Sequence, residues 1–252
     1  MSDSVEPILY DASSEPRANV VLVHGALDRS MAFRGVLQRL YEYDVTVYDR
    51  RGYGAAVELT PATSIDDHVA DLISVLDDTP SVVIGHSMGG AIAMLAAVAR
   101  PDLVQALGVF EAPLPGIRLP TDEAPASVSV PEDPEHLVRW MYRRVVGESA
   151  FDRMDPRAQR ALVDEAPALR ADLESMHDGI EPLDPAAIVA PTVVGYGTES
   201  APRHIARAEW LAEQLPEATL FDASGAQHGC HRSHPELFAS FVIEAVGRAD
   251  ED

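Results

Sequence analysis

Residues 81–99 read S-V-V-I-G-H-S-M-G-G-A-I-A-M-L-A-A-V-A. Ser81 to Gly85 is a short apolar run, the pattern of a strand buried on both faces. His86 to Gly90 has the composition of a turn. Ala91 to Ala99 reads as a helix that stops before Pro101. The junction holds Gly85-His86-Ser87-Met88-Gly89, a G-x-S-x-G pattern between strand and helix. A turn this tight strains the serine backbone, and glycines two residues either side avoid clashes. It lifts the hydroxyl above the sheet, at the positive end of the next helix. Ser87 is therefore the candidate nucleophile.

Working outward, Asn19 to His24 and Asp44 to Asp49 read as two further buried strands. Met31, Phe33, Val36, Leu37 and Leu40 recur at helical spacing and predict a helix over about 30–41. Ile65 to Leu76 is an amphipathic helix with Ser64 available as its cap. Leu103 to Phe110 is a strand that ends at Glu111. The alternation then stops. Pro113, Pro115, Pro120, Pro125, Pro131 and Pro134 punctuate a loop-rich stretch, followed by helical patterns over 136–146 and 155–176. Alternation resumes with a strand over 192–196, a helix over 205–215, a strand over 218–222 and a helix over 235–246. The tail, 248–252, reads as frayed.

Alternating strands and helices predict an α/β fold, a mostly parallel central sheet with helices on both faces. Residues 1–112 and 189–252 form the expected core, and 113–188 a helical insertion. Ligands bind at the carboxyl ends of strands in such sheets, so an insertion there is placed to act as a lid. Trp140 and Met141 are its candidate substrate-binding residues, in a pocket suited to an apolar acyl or alcohol group. Arg139, Arg143 and Arg144 could reach an acidic substrate, but a solvated helix face is the simpler reading.

The chain has 252 residues, enough for one large α/β domain. Its formal charge of −22 repels polyanions, which excludes nucleic acid and anionic membrane surfaces as partners. All 19 basic residues are arginine, a composition that fits either salt adaptation or GC-rich coding. No apolar run of about 18 residues is present to span a membrane. The first residues lack the basic and apolar regions of a secretory signal, and one cysteine cannot form an intrachain disulfide. These features predict a cytoplasmic protein with a small-molecule substrate.

A serine hydroxyl needs a base. His24 and His86 are poorly aimed at Ser87, and His68, His136, His177 and His204 show no partner in the sequence. The cluster Ala226 to Pro235 offers His228, His231 and His234 in the loop before the last helix. Five pieces in order, H-G at 24–25, D-R-R-G-Y-G at 49–54, G-H-S-M-G-G at 85–90, P-T-V-V-G-Y-G at 191–197 and G-A-Q-H at 225–228, resemble the α/β-hydrolase family. The resemblance covers nearly the whole chain. It implies an α/β-hydrolase fold and places the catalytic histidine at His228. It also implies an oxyanion hole made by the backbone N–H groups of Met88 and Ala26, with Leu27 the less favoured second donor. Arg50 and Arg51 fall in a turn that the resemblance treats as support for the sheet edge.

The family's usual acid position falls on Ser200, which cannot serve. Glu199 stands one residue early. Some members, such as certain haloalkane dehalogenases, carry the acid at the end of the strand after the nucleophile helix. Glu111 stands there, at the end of an apolar strand where a carboxylate needs a partner such as the His228 ring N–H. Glu111 is the favoured acid and Glu199 the alternative.

A serine nucleophile argues against the aspartate-based chemistry of dehalogenases and epoxide hydrolases. No Walker-type loop or G-x-G-x-x-G implies a nucleotide cofactor, and no cofactor is expected. His228, His231 and His234 could chelate zinc, but no carboxylate motif accompanies them and no metal is expected. His231 and His234 then read as surface or capping residues. The resemblance thus implies a serine hydrolase for a small carboxylic ester, acting through Ser87, His228 and Glu111. Lactone or carbon–carbon hydrolysis, acyl transfer and cofactor-free haloperoxidase chemistry stay open with the same residues. So does a slow ligand-binding module on the same fold.

Overall fold

A computed structural model describes residues 4–122, 130–147, 149–176 and 180–249. Its strands are β1 (Pro7–Tyr10), β2 (Asn19–Val23), β3 (Asp44–Tyr48), β4 (Ser81–His86), β5 (Val104–Phe110), β6 (Thr192–Gly197) and β7 (Ala218–Ala223). They form one sheet in the order β1-β3-β2-β4-β5-β6-β7. β1 runs antiparallel to β3, and every other neighbour is parallel. The helices are α1 (Arg34–Leu37), α2 (Ile65–Leu76), α3 (Met88–Ala99), α4 (Pro134–Val145), α5 (Pro156–Asp164), α6 (Ala166–Ser175), α7 (Pro202–Gln214), α8 (Cys230–Ser233) and α9 (Pro235–Ala249).

The α/β architecture read from the sequence is the one observed. Strand side chains alternate between two cores. Val21, Val83 and Leu107 pack with Leu72 of α2, Ile92 of α3 and Leu211 of α7. Leu22, Ile84 and Ala106 pack with Val36 of α1 and Phe238, Phe241 and Val242 of α9. α3 is buried almost all round, as a helix without a polar stripe must be. The chain leaves β2 toward β3 on one side and leaves β4 toward β5 on the other. That divergence opens a crevice at the carboxyl ends of β2 and β4, the ligand position in sheets of this kind.

Between β5 and β6, helices α4, α5 and α6 build a third core. Leu137, Tyr142, Phe151 and Leu169 pack there with Leu27 and Tyr53 of the loops at the sheet's carboxyl edge. Two carboxylates fasten this insertion to the sheet. Glu165 accepts from Arg29 Nε (2.7 Å) and Gly54 N (2.8 Å). Asp172 takes both ends of the Arg50 guanidinium, at 3.0 and 2.7 Å, and the Tyr53 hydroxyl at 2.6 Å. Arg50 is fully buried and also donates to the carbonyls of His24 and Gly25, each at 3.1 Å. Arg50 thus joins the loop after β2 to α6, while Arg51 pairs with Asp71 of α2.

Three elements differ from the sequence reading. Over 30–41 only α1 is α-helical. A 3-10 turn precedes it, and Arg39 N and Leu40 N bond three residues back, so the apolar spacing persists in a tighter coil. The helix read over 155–176 is two, because Pro167 cannot donate and must sit in the first turn of a new helix. β1 was not read at all: its four residues are exposed and carry no alternation. Of the tail, residues 248 and 249 continue α9, and 250–252 lie outside the described residues.

Candidate active site

β4 leads straight into α3 through Ser87, whose backbone has φ 52° and ψ −124°. The crossing is close. A Cβ on Gly85 would lie 2.3 Å from the Gly89 carbonyl oxygen, and one on Gly89 would lie 2.1 Å from the Val23 oxygen. Only glycine fits at either position. Among the described non-glycine residues, five have positive φ, and three of them, Leu27, Ser87 and Glu111, stand in the loops after β2, β4 and β5. Strained backbone therefore gathers at one end of the sheet, as it does at functional sites.

Glu111 directly follows β5 and is 2% exposed. His228 lies in the loop after β7, and its Nδ1 is 2.7 Å from Glu111 Oε2. Glu111 Oε1 accepts from Gly197 N at 2.8 Å and from the Ser200 hydroxyl at 2.5 Å. The buried carboxylate is thus met by three donors, which offset its loss of water. Glu199 is exposed, and its backbone N–H bonds to Ala226 O.

Ser87, Glu111 and His228 border one cavity of about 510 Å³, within the usual size range of small-molecule sites. Ala26 and Met88 border it too, as do Trp140 and Met141 of α4. Leu114, Ile117 and Leu173 add apolar wall. Leu27 instead turns its side chain into the core of the insertion.

Several histidines have partners that sequence reading missed; His68 Nε2, for one, lies 2.9 Å from Asp172 Oδ1. His204, on α7, stacks on His228 with ring centroids 4.6 Å apart and planes at 27°. Burial, then His228, Arg203 and Arg207, push its pKa down to about 2, so it is neutral. His231 is a buried core residue, not a surface one. Its Nε2 lies 2.8 Å from Asp28 Oδ2, and Arg232 also pairs with Asp28. Burial works against the Asp28 charge, but the His231 hydrogen bond and the charges of His231 and Arg232 outweigh it. They hold the carboxyl well below its usual range. His86 packs between these groups, 4.2 Å from the His231 ring and 4.7 Å from that of His228. Burial first, and then the neighbouring His231 and His228, push His86 well below the imidazole range. Neutral His86 donates Nε2–H to the His228 carbonyl at 2.8 Å and so fixes the loop that carries His228. Local periodicity holds no signal for these contacts; Asp28 and His231 are 203 residues apart. His177 lies outside the described residues.

The three C-terminal histidines diverge: His228 toward Glu111, His231 toward Asp28 and His234 toward the Ser233 hydroxyl. Two other groups bring metal-competent atoms together, Asp28 with His86 and His231, and Glu111 with His204 and His228. In the first, Arg232 already holds the carboxylate. In the second, Glu111 Oε2 is already bound by His228 Nδ1.

A serine with strained backbone at a strand-to-helix crossing and a carboxylate-bound histidine border one cavity, the components of a hydrolase-type site. The sequence pattern of the alpha/beta hydrolase family matches residues 20–241, and the chain belongs to that family. A pimeloyl-[acyl-carrier protein] methyl ester esterase of Chromobacterium violaceum is 29% identical over 242 residues, 90% of this chain and 93% of its own length. Lipase LipV of Mycobacterium tuberculosis is 32% identical over 152 residues, 59% of this chain and 57% of its own. Among solved structures, MenH from S. aureus superposes with a TM-score of 0.77 at 18% identity, covering 97% of this chain and 99% of that one. Among the described residues, no helix is long and apolar enough to cross a membrane.

Proposed function

We propose that this alpha/beta hydrolase is a serine-dependent hydrolase of small carboxylic esters, working through Ser87, His228 and Glu111 without a cofactor. The observation that carries the reading is the 2.7 Å contact between His228 Nδ1 and Glu111 Oε2 on the cavity that Ser87 borders. Ser87 Oγ attacks the ester carbonyl and His228 Nε2 takes its proton. Glu111 holds the Nδ1–H, which fixes the tautomer and stabilises the imidazolium that forms. The N–H groups of Met88 and Ala26 stabilise the oxyanion. The intermediate collapses, His228 protonates the departing alcohol, and an acyl group stays on Ser87. Water, deprotonated by the same histidine, then releases the acid.

Residues 113–188 act as the lid in this reading, with Trp140 and Met141 against the substrate. The esterase and lipase names of the relatives from Chromobacterium and Mycobacterium support ester hydrolysis. Hydrolysis of a p-nitrophenyl ester series from acetate to octanoate, by wild type and Ser87→Ala side by side, tests it. Turnover that needs Ser87 supports the reading; equal rates in the two proteins would end it.

A further inference from the structure

The cavity around Ser87 differs in charge from the rest of the chain. The protein carries a formal −22, yet Arg118, Arg144, Arg203 and Arg207 all border this cavity. They arrive from three separate elements: the loop after β5, α4 and α7. Among the described residues, the carboxylates bordering the same space are Glu111, Asp122 and Asp172. Glu111 is held by His228, Asp172 by Arg50 and Asp122 by Arg207 at 2.6 Å. Apolar side chains supply much of the remaining wall.

Three of the four arginines have contacts that fix them. Arg207 Nε donates to Asp122 Oδ1 at 2.8 Å, the Arg144 guanidinium lies 5.0 Å over the Trp140 ring, and Arg203 Nη2 donates to the Arg144 carbonyl at 3.3 Å. Each has protein partners, and each guanidinium carries five N–H donors in a planar fork. Fixed forks lose little entropy on binding an anionic oxygen group and match it in two-point geometry. A site for a wholly neutral ester has no use for four such groups beside apolar walls.

We propose that the substrate is an apolar ester bearing an anionic oxygen group, carboxylate or phosphate, at the end remote from the scissile bond, where Arg118, Arg144, Arg203 and Arg207 bind it. This rests on the serine-hydrolase reading and adds the charge of the substrate. The anion can sit on the acyl side or on the alcohol side. The arginines discriminate through ground-state and transition-state binding alike, so the preference enters mainly through KM.

Two substrate pairs separate these cases. The acyl pair is p-nitrophenyl hexanoate against mono-p-nitrophenyl adipate. The alcohol pair is the hexanoate ester of glycerol against that of glycerol phosphate. In at least one pair the anionic member should exceed its neutral partner about tenfold in kcat/KM, through a lower KM. That ratio should shrink as salt is raised. Arg144→Gln and Arg203→Gln should each cut the ratio severalfold, while Arg203→Lys keeps part of it. Arg17→Gln, far from the cavity, should leave the ratio as it is. Ser87-dependent turnover with the neutral member equal or better in both pairs overturns the proposal and leaves the ester-hydrolase reading standing. A ratio unmoved by the Arg144 and Arg203 changes also overturns it. No turnover of any of the four esters by the folded protein overturns both.

Discussion

Ser200 donates its hydroxyl to Glu111 Oε1 at 2.5 Å, on the oxygen that His228 does not touch. Ser200 stands where the family resemblance places the usual acid, and Glu111 reaches the same spot from the end of β5. Ser200 and His228 meet the two oxygens of one carboxylate, so a carboxylate planted at 200 should come within reach of His228. Glu111→Ala with Ser200→Asp should therefore recover at least about tenfold of the activity lost in Glu111→Ala alone. Steady-state ester hydrolysis by the single and double variants measures it. No recovery in a folded double variant would show that position 200 does not reach the base. Ser200→Ala removes one hydrogen bond and leaves the one from Gly197, so its cost should be only severalfold.

Glu111→Gln keeps the shape but cannot hold the histidine in the tautomer that accepts a proton at Nε2. The expected loss in kcat is about 10³–10⁴-fold. Glu199→Gln, at an exposed position, should change kcat by less than about twofold. The reverse ranking in parallel kinetics would move the acid to Glu199.

The buried Arg50–Asp172 pair joins the insertion to the sheet, with side chains 0% and 3% exposed. Asp172→Asn leaves the Arg50 charge without its counterion and should cost roughly 3–5 kcal/mol in urea unfolding. Because Arg50 also holds the His24 and Gly25 carbonyls, activity should fall with it. A variant as stable as wild type would show that this pair does not fasten the insertion.

Asp28 and Asp172 both titrate below the ordinary carboxylate range when folded. Burial opposes the Asp172 charge but is outweighed by Arg50 and His68. A lowered folded pKa means stability that is complete above the unfolded value of about 4 and lost as pH falls toward the folded one. Thermal melts should therefore show a steep loss of Tm below about pH 4. That loss should be shallower in Asp28→Asn, which starts from a lower Tm at neutral pH. An unchanged acid slope would contradict the assignment.

The fold was legible wherever chain-local chemistry dictates structure. The apolar run into Ser87 and the glycines at 85 and 89 require a strand crossing closely against a helix, and they were readable because only glycine survives 2.1–2.3 Å from a carbonyl oxygen. Ser64 was readable as a cap, and its capping box with Asp67 is present. Glu111 was a candidate because the resemblance offers that strand end as a second place for the acid, and a carboxylate ending an apolar strand needs a partner. β1 was not, since an exposed edge strand of four residues buries nothing that would impose alternation. The stacking of His204, after β6, on His228 and the pairing of His231, after β7, with Asp28, after β2, depend on how distant segments meet at the carboxyl edge of the sheet.

In the proposed reaction Ser87 forms the covalent acyl bond. Intact-mass and peptide mass spectrometry after treatment with a fluorophosphonate tests it most directly. One adduct per chain is expected, on the peptide containing Ser87, and none in folded Ser87→Ala. An adduct of equal extent in Ser87→Ala, or no adduct on folded wild type, would contradict it.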